Sequence, residues 1–300
     1  MKKQSMPVAL SVDVEDGINI AMRDVFGKEM SPTERVVINT KKILELFSEH
    51  EVKGTFFILG QVAEHYPKLI RKIHDHGHEI GVHGYDHYKF QTMSRDEAHD
   101  QLKRAKSILE DLTGEEVRGH RAPAFSINES TKWALPLMAE LGFTYDSSVM
   151  PCKAASYGWE GFPQDITELK FENDKSIYEI PMSTLSVGFR DLPCLGGSYF
   201  RLLPYWLTSY AIRKIADQRN PIFYMHPYEI DTDRYPDFYF EALKQDPITT
   251  QLKMRSMWLM RKTVSDKIEK MISAYKTDTI GSILKNAKEI NNISRIDLMT

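Results

Sequence analysis

Three groups of residues in this 300-residue chain are of the right type and spacing to do chemistry together. His83 and His87 stand four apart at the end of a short apolar run, Ile80-Gly81-Val82. Two imidazoles at that spacing can aim at one point, and neutral imidazole is the commonest metal ligand. Near the N-terminus, Asp13-Val14-Glu15-Asp16 concentrates three carboxylates in four positions. Arg121, followed by Ala122-Pro123, and a solitary His226 complete the set. One carboxylate with two histidines makes an open three-ligand site for Zn²⁺ or a similar divalent ion, with room left for water or substrate. An open site of that kind suits metal-assisted hydrolysis, with a second carboxylate as base and another histidine as acid.

These residues lie more than two hundred positions apart, so the fold must bring them together. Pro7 to Asp13 reads as a strand, with Val8, Leu10 and Val12 on one face and Ala9, Ser11 and Asp13 on the other. An amphipathic helix over 36–49 follows, then a strand closing at Gly60, a helix over 67–76, and a strand over 79–82 ending at His83. Residues 18–34 read as a loop. Further on, Ser94-x-x-Glu97 and Ser126-x-x-Glu129 read as capping boxes opening helices that Gly114 and Gly142 end, the second kinked at Pro136. Strands are expected at 117–121, 143–145, 176–182 and 221–225, a helix at 204–218, and a functional loop at 151–175. This βαβα rhythm predicts parallel strands with crossover helices. Asp13, His83, Arg121, Asp146 and His226 each end or follow a strand. In a parallel α/β barrel they would share the rim where active sites sit.

Composition narrows the functional class. Charged residues make up 27% and hydrophobic ones 42%, with a formal net charge of -3. That balance gives no electrostatic reason to expect nucleic acid as a partner. Two cysteines, Cys152 and Cys194, do not make a disulfide scaffold. No apolar run is long enough for a signal segment or a membrane span, so a cytoplasmic enzyme without membrane insertion is expected. His50, His65, His74, His76 and His99 read as surface residues. His78 reads as structural, and His120 as turned from the rim by alternation. Trp159, Phe162, Tyr199 and Phe200 read as packing, with a sugar platform as the alternative. From 238 to 300 the chain reads as a mostly helical extension of one domain spanning 1–300.

Taken together, several motifs resemble the polysaccharide deacetylase family, the NodB-homology carbohydrate esterases. They are Ser11-Val-Asp-Val-Glu-Asp16, His83-x-x-x-His87, Gly119-His-Arg-Ala-Pro-Ala-Phe-Ser126, Tyr145-Asp-Ser-Ser148, Glu179-Ile-Pro-Met-Ser183, Gly196-Gly-Ser-Tyr-Phe-Arg201 and Tyr224-Met-His-Pro-Tyr-Glu229. The wording is nearest to a subgroup associated with exopolysaccharide and lipopolysaccharide biosynthesis. The resemblance implies a distorted (β/α) barrel with fewer than eight complete units. It implies hydrolysis of the N-acetyl group of an amino sugar, in a polysaccharide or its nucleotide- or lipid-linked precursor. It matches Asp13 to the general base, His226 to the general acid, and His83 and His87 to metal ligands. Arg121 matches the arginine that holds the base ionised and in place.

Two positions depart from the commoner pattern. Val14 fills the slot where many members carry the metal-binding acid, which leaves Glu15 or Asp16 for that role. Ala124 replaces an aromatic residue, which removes a ring but not a backbone N–H. An allantoinase-like amide or cyclic-ureide hydrolase of the same fold, and a catalytically silent sugar-binding protein, are the alternative readings.

Overall fold

The computed structural model describes residues 6–154, 157–172 and 174–298. The parts of the expected loop that fall on 155–156 and 173 lie outside the described residues. Twelve strands are described: β1 Val8–Val14, β2 Thr55–Ile58, β3 Glu79–Val82, β4 Gly119–His120, β5 Tyr145–Asp146, β6 Thr167–Lys170, β7 Ser176–Glu179, β8 Thr184–Val187, β9 Arg190–Pro193, β10 Ile222–Met225, β11 Thr277–Asp278 and β12 Ser294–Asp297.

The main sheet runs β10-β1-β2-β3-β4-β5-β7-β6-β12, with β11 also paired to β1. Every pairing from β10 to β7 is parallel, and only β6 runs antiparallel to β7. This is the distorted, incompletely closed (β/α) barrel expected. Because its strands are parallel, all of them finish at one rim.

Alternation along β1 sorts its side chains as the strand pattern requires. Val8, Leu10, Val12 and Val14 join the core beneath the surrounding helices, with Ile43, Leu44 and Phe47 of the helix Glu34–Glu49. Ala9 faces the other way, against Phe57 and Tyr145, and Ser11 and Asp13 continue that inner face. The inner face therefore changes from apolar at the bottom to polar at the rim.

The C-terminal segment closes the bottom. β11 extends the sheet beside Val8 and Ala9, and the helix Ile280–Glu289 packs Ile280, Ile283 and Leu284 against Ala9, Phe57 and Tyr145. The barrel floor caps that helix: Thr55 Oγ1 accepts from Ile280 N–H (2.8 Å) and Glu79 Oε2 from Gly281 N–H (2.9 Å). An anion at a helix N-terminus is favoured by the backbone dipole. A side chain at Gly281 would collide with the Glu79 carboxylate, its Cβ falling 2.3 Å from Oε1.

Three sequence expectations need correction. Residues 18–34 are not all loop, because Gly17–Asp24 is a helix capped by Asp16. Ser126 to Glu129 does not open a helix. Asn128 Oδ1 accepts from Ser130 N–H and Thr131 Oγ1 from Asn128 N–H, and these local bonds replace helical ones. The helix begins at Ala134, so Pro136 sits in its first turn, where the missing N–H costs nothing and no kink forms. Strands β6 and β12 and the hairpin β8–β9 were not foreseen.

His78, in the turn before β3, is buried against Phe47 and Phe56, and its Nδ1 accepts from Gly54 N–H (3.3 Å). Burial, then the nearby charges of Lys53 and His76, push its pKa down from 6.5 to about 4. The unfolded chain therefore takes up a proton below pH 6.5 that the folded chain refuses until about 4. Stability falls as pH drops through that window, by up to about 1.4 kcal/mol per pH unit. Urea unfolding of His78→Gln is expected to show a shallower acid loss than the native chain; parallel pH dependences would refute this.

Candidate metal centre

Each residue at the rim is placed by the strand it ends. Asp13 and Glu15 lie at the C-terminal end of β1, His83 directly follows β3, Arg121 follows β4, and His226 follows β10. Glu15 Oε2 lies 2.9 Å from His87 Nε2 and 3.3 Å from His83 Nε2. The His83 tautomer follows from its other nitrogen, whose N–H donates to the Arg121 carbonyl (Nδ1 to O, 2.8 Å). That leaves a lone pair on Nε2 facing a carboxylate. Glu15 Oε2 is buried with no hydrogen-bond donor. Lone pairs and negative charge converging on a buried point fit a divalent cation. Among the described residues, Glu15, His83 and His87 form the group able to hold one.

The loop between the two histidines needs unusual backbone. Gly84 has φ +77° and His87 φ +66°, the left-handed region that a residue with a Cβ rarely adopts. Arg23 holds this turn. It donates to the carbonyls of Asp86 and His87, stacks on Tyr88 (4.5 Å), and pairs with Asp24 (2.7 Å). Sequence reading missed Arg23 because its helix was taken for loop. The apolar spacing of Ile18, Ala21 and Met22, all buried, was the available signal.

Asp16, the other carboxylate left open as a ligand, does not join the cluster. Its oxygens accept from Ile18 N–H (3.0 Å) and Thr33 N–H (2.5 Å), capping the helix and anchoring the following loop. Asp146 is also drawn away, bonded to His120 Nδ1 (2.7 Å) and Ser148 Oγ (2.7 Å). His120 is turned from the rim, as alternation indicated.

Arg121, fully buried, donates to Asp13 Oδ1 (2.8 Å), Ser11 Oγ (2.7 Å), the Ser147 carbonyl (2.9 Å) and Ser147 Oγ (3.1 Å). Asp13 Oδ2 is left facing His226, whose Nε2 lies 3.9 Å from it and 3.6 Å from Glu15 Oε1. His226 Nδ1 lies 3.4 Å from Glu229, and its ring stacks on Tyr228 at 4.8 Å. Burial opposes charge on His226, but Glu15, Glu229 and Asp13 outweigh it and lift its pKa to about 9. Burial likewise opposes ionisation of Glu15, yet His87 and His226 hold its carboxyl well below the usual range.

These groups line a cavity of about 360 Å³, bounded by Ala124, Phe125, Met150, Tyr157, Tyr199 and Tyr224. Of the aromatics singled out from sequence, Tyr199 reaches the cavity and hydrogen-bonds Tyr157 (3.0 Å). Phe200 is core, packed on Phe223, and Trp159 packs on Phe162. Cys152 and Cys194 are buried and free.

A carboxylate locked to a buried arginine, a histidine held by an acid, and an open Glu–His–His cluster thus share one (β/α) barrel rim. Residues 32–145 match the polysaccharide deacetylase family, and residues 147–285 match a domain of unknown function (DUF3473). The chain is similar to a peptidoglycan-N-acetylglucosamine deacetylase of Bacillus cereus, 38% identical over 96 residues, covering 32% of this chain and 35% of that protein. It is similar to a peptidoglycan deacetylase of Helicobacter pylori (31% over 113 residues, 38% of each). A chitooligosaccharide deacetylase of Azorhizobium caulinodans is 36% identical over 85 residues, 28% of this chain and 40% of that protein. The chain spans only about a third of the length of the first two. Among solved structures, a polysaccharide deacetylase-like chain from Mycobacterium smegmatis shares the fold, with TM-score 0.65 and 21% identity over 100% of this chain and 96% of that one.

Glu15→Gln is expected to weaken Zn²⁺ binding by more than the roughly 10–100-fold that loss of an outer hydrogen-bonding partner costs. Asp16→Asn keeps the helix cap and is expected to leave affinity unchanged. Competition with a chromophoric chelator measures both, and the reverse result would make Asp16 the ligand.

Proposed function

We propose that this chain is a metal-dependent deacetylase that hydrolyses the N-acetyl group of an amino sugar. The observation that carries the reading is the convergence of two proton-handling groups, Asp13 tied to Arg121 and His226 beside Glu229, on the Glu15–His83–His87 cluster in one cavity. The names of the relatives support the substrate class, since they act on N-acetylglucosamine-containing or chitooligosaccharide substrates.

In this reading Glu15 Oε2, His83 Nε2 and His87 Nε2 hold a divalent ion, most simply Zn²⁺. When bound, the ion supplies Lewis-acid polarisation of the acetyl carbonyl and acidifies water. Arg121 occupies Asp13 Oδ1, so Oδ2 is the oxygen that takes the proton as water adds to the amide carbon. The N–H of Ala124, in the turn that lines the cavity, is the donor assigned to the developing oxyanion. His226 gives its proton to the departing nitrogen, without which an amine leaves poorly. The products are acetate and a free amino sugar.

A sugar carried on a nucleotide or a lipid, within surface-polysaccharide assembly, is the substrate we favour over a finished polymer. Tyr157 and Tyr199, hydrogen-bonded to each other, both line this cavity of about 360 Å³. A cytoplasmic site of action belongs to the same reading; two free, buried thiols are in keeping with a reducing compartment. We treat 1–300 as one unit with 238–300 as its extension, because β11 and the helix Ile280–Glu289 are built into the barrel floor.

Zinc-loaded protein is expected to release acetate from N-acetylated sugar conjugates. Asp13→Asn should keep the metal but lose turnover by about a hundredfold or more. Absence of acetate from nucleotide-linked, lipid-linked and oligomeric substrates, with metal bound, would overturn the function. Undiminished turnover in Asp13→Asn would overturn the base.

A further inference from the structure

Behind the rim lies a second, wholly buried polar assembly that the hydrolytic step does not use. The turn that follows Arg121 is strained: Ala124 and Phe125 both have φ +52°, in the left-handed region. Such backbone is costly and persists only where the surroundings over-determine it. Bonds within the turn, Phe125 N–H to Ala122 O (3.1 Å) and Ser126 N–H to Pro123 O (3.1 Å), fix its shape but not its place.

Its place is fixed from beneath. Ser148 Oγ accepts from Ala122 N–H (2.7 Å) and donates to Asp146 Oδ1 (2.7 Å). Glu179 Oε1 accepts from the N–H groups of Ser148 (3.1 Å) and Val149 (2.8 Å), which sets the serine. His120, the residue before Arg121, bonds Asp146 as well (2.7 Å). His120, Asp146, Ser148 and Glu179 are all without solvent exposure.

The remaining oxygens, Asp146 Oδ2 and Glu179 Oε2, receive no donor, and the two residues stand directly opposite each other on the neighbouring parallel strands β5 and β7. Two facing carboxylates in an apolar interior repel strongly, and one proton between them turns that repulsion into a hydrogen bond. We propose that Asp146, Ser148 and Glu179 are positioning residues for the Arg121–Phe125 turn, with one proton shared between the two carboxyl groups. Burial first, and then the charge of Asp146, raises the Glu179 carboxyl well above the usual range, which agrees with the geometry. The strain of the turn is thus opposed by a fixed post, which holds Ala124 at its place in the cavity wall.

The positioning role rests on the hydrolytic reading, so the test has arms that do not. Ser148→Ala removes the acceptor for Ala122 N–H. Its amide is expected to lose hydrogen-exchange protection by about tenfold or more, while zinc affinity stays unchanged. In the acetate assay the same variant is expected to lose kcat by about tenfold or more with KM held. Glu179→Gln, which keeps both an acceptor for the two N–H groups and a donor to Asp146, is expected to retain kcat where Glu179→Ala does not. Infrared spectra at mildly alkaline pH should show a protonated carboxyl band that Glu179→Gln abolishes. Unaltered exchange at Ala122 in Ser148→Ala would overturn the positioning role. So would native kcat in that variant, or Glu179→Gln as impaired as Glu179→Ala. Absence of the carboxyl band would overturn the shared proton. Failure of the native protein to release acetate counts against the hydrolytic reading alone, and the exchange and infrared results then decide this one.

Discussion

One buried ion pair organises the rim. The Arg121 guanidinium has no solvent exposure and faces Asp13 at 2.8 Å. Breaking such a pair by removing one partner typically costs 3–5 kcal/mol, because the other charge is stranded. Arg121 is satisfied on every side, by Ser11 and Asp13 on β1, by Ser147 after β5, and by the face of Phe57 at 4.3 Å. Its own carbonyl fixes the His83 tautomer. A single residue therefore sets the orientation of the Asp13 carboxylate and the lone pair of His83. It also ties together the ends of β1, β3, β4 and β5.

The price of this arrangement is an excess of buried charge. Asp13, Glu15 and Glu229 stand around His226 with little water to screen them, and Glu15 has two further imidazoles against it. In a low-dielectric setting these groups cannot be adjusted one at a time. Under the proposed function, a cation held by Glu15, His83 and His87 would relieve the lone-pair convergence and leave the His226 ring to Glu229 and Asp13.

Much of the centre was legible in the sequence, because strand alternation has a strict period. Once β1 was read correctly, Asp13 had to point inward, and the parallel rhythm brought the other strand ends to the same rim. Glu15 and Asp16 could not be separated that way. They are adjacent at a strand end, where alternation gives way to loop, and only the capping bonds of Asp16 decide its direction. Arg23 was hidden because its eight-residue helix is too short for periodicity to stand out. Ser126 and Glu129 misled in the opposite sense, since their capping-box spacing sits where Asn128 and Thr131 side chains stabilise a plain turn instead. β12 escaped notice because it is an exposed edge strand of four residues, with no buried face to impose a pattern.

The two matched families meet at residue 146, yet the fold does not divide there. β7 and β10 belong to the second match and lie in the same sheet as β1 to β5. His226 comes from the second match, His83, His87 and Arg121 from the first, and Asp13 and Glu15 from before either. Neighbouring parallel strands are joined by crossovers, and β1 sits between β2 and β10, so its end is flanked by strands far apart in the chain. The segment of unknown function is therefore not an appendage to a finished barrel. It supplies Ser147 and Ser148 behind Arg121, Glu179 beneath the strained turn, and the histidine that faces Asp13. Without those residues Arg121 would keep Ser11 and Asp13 but lose both bonds to Ser147, and Asp13 would face no histidine.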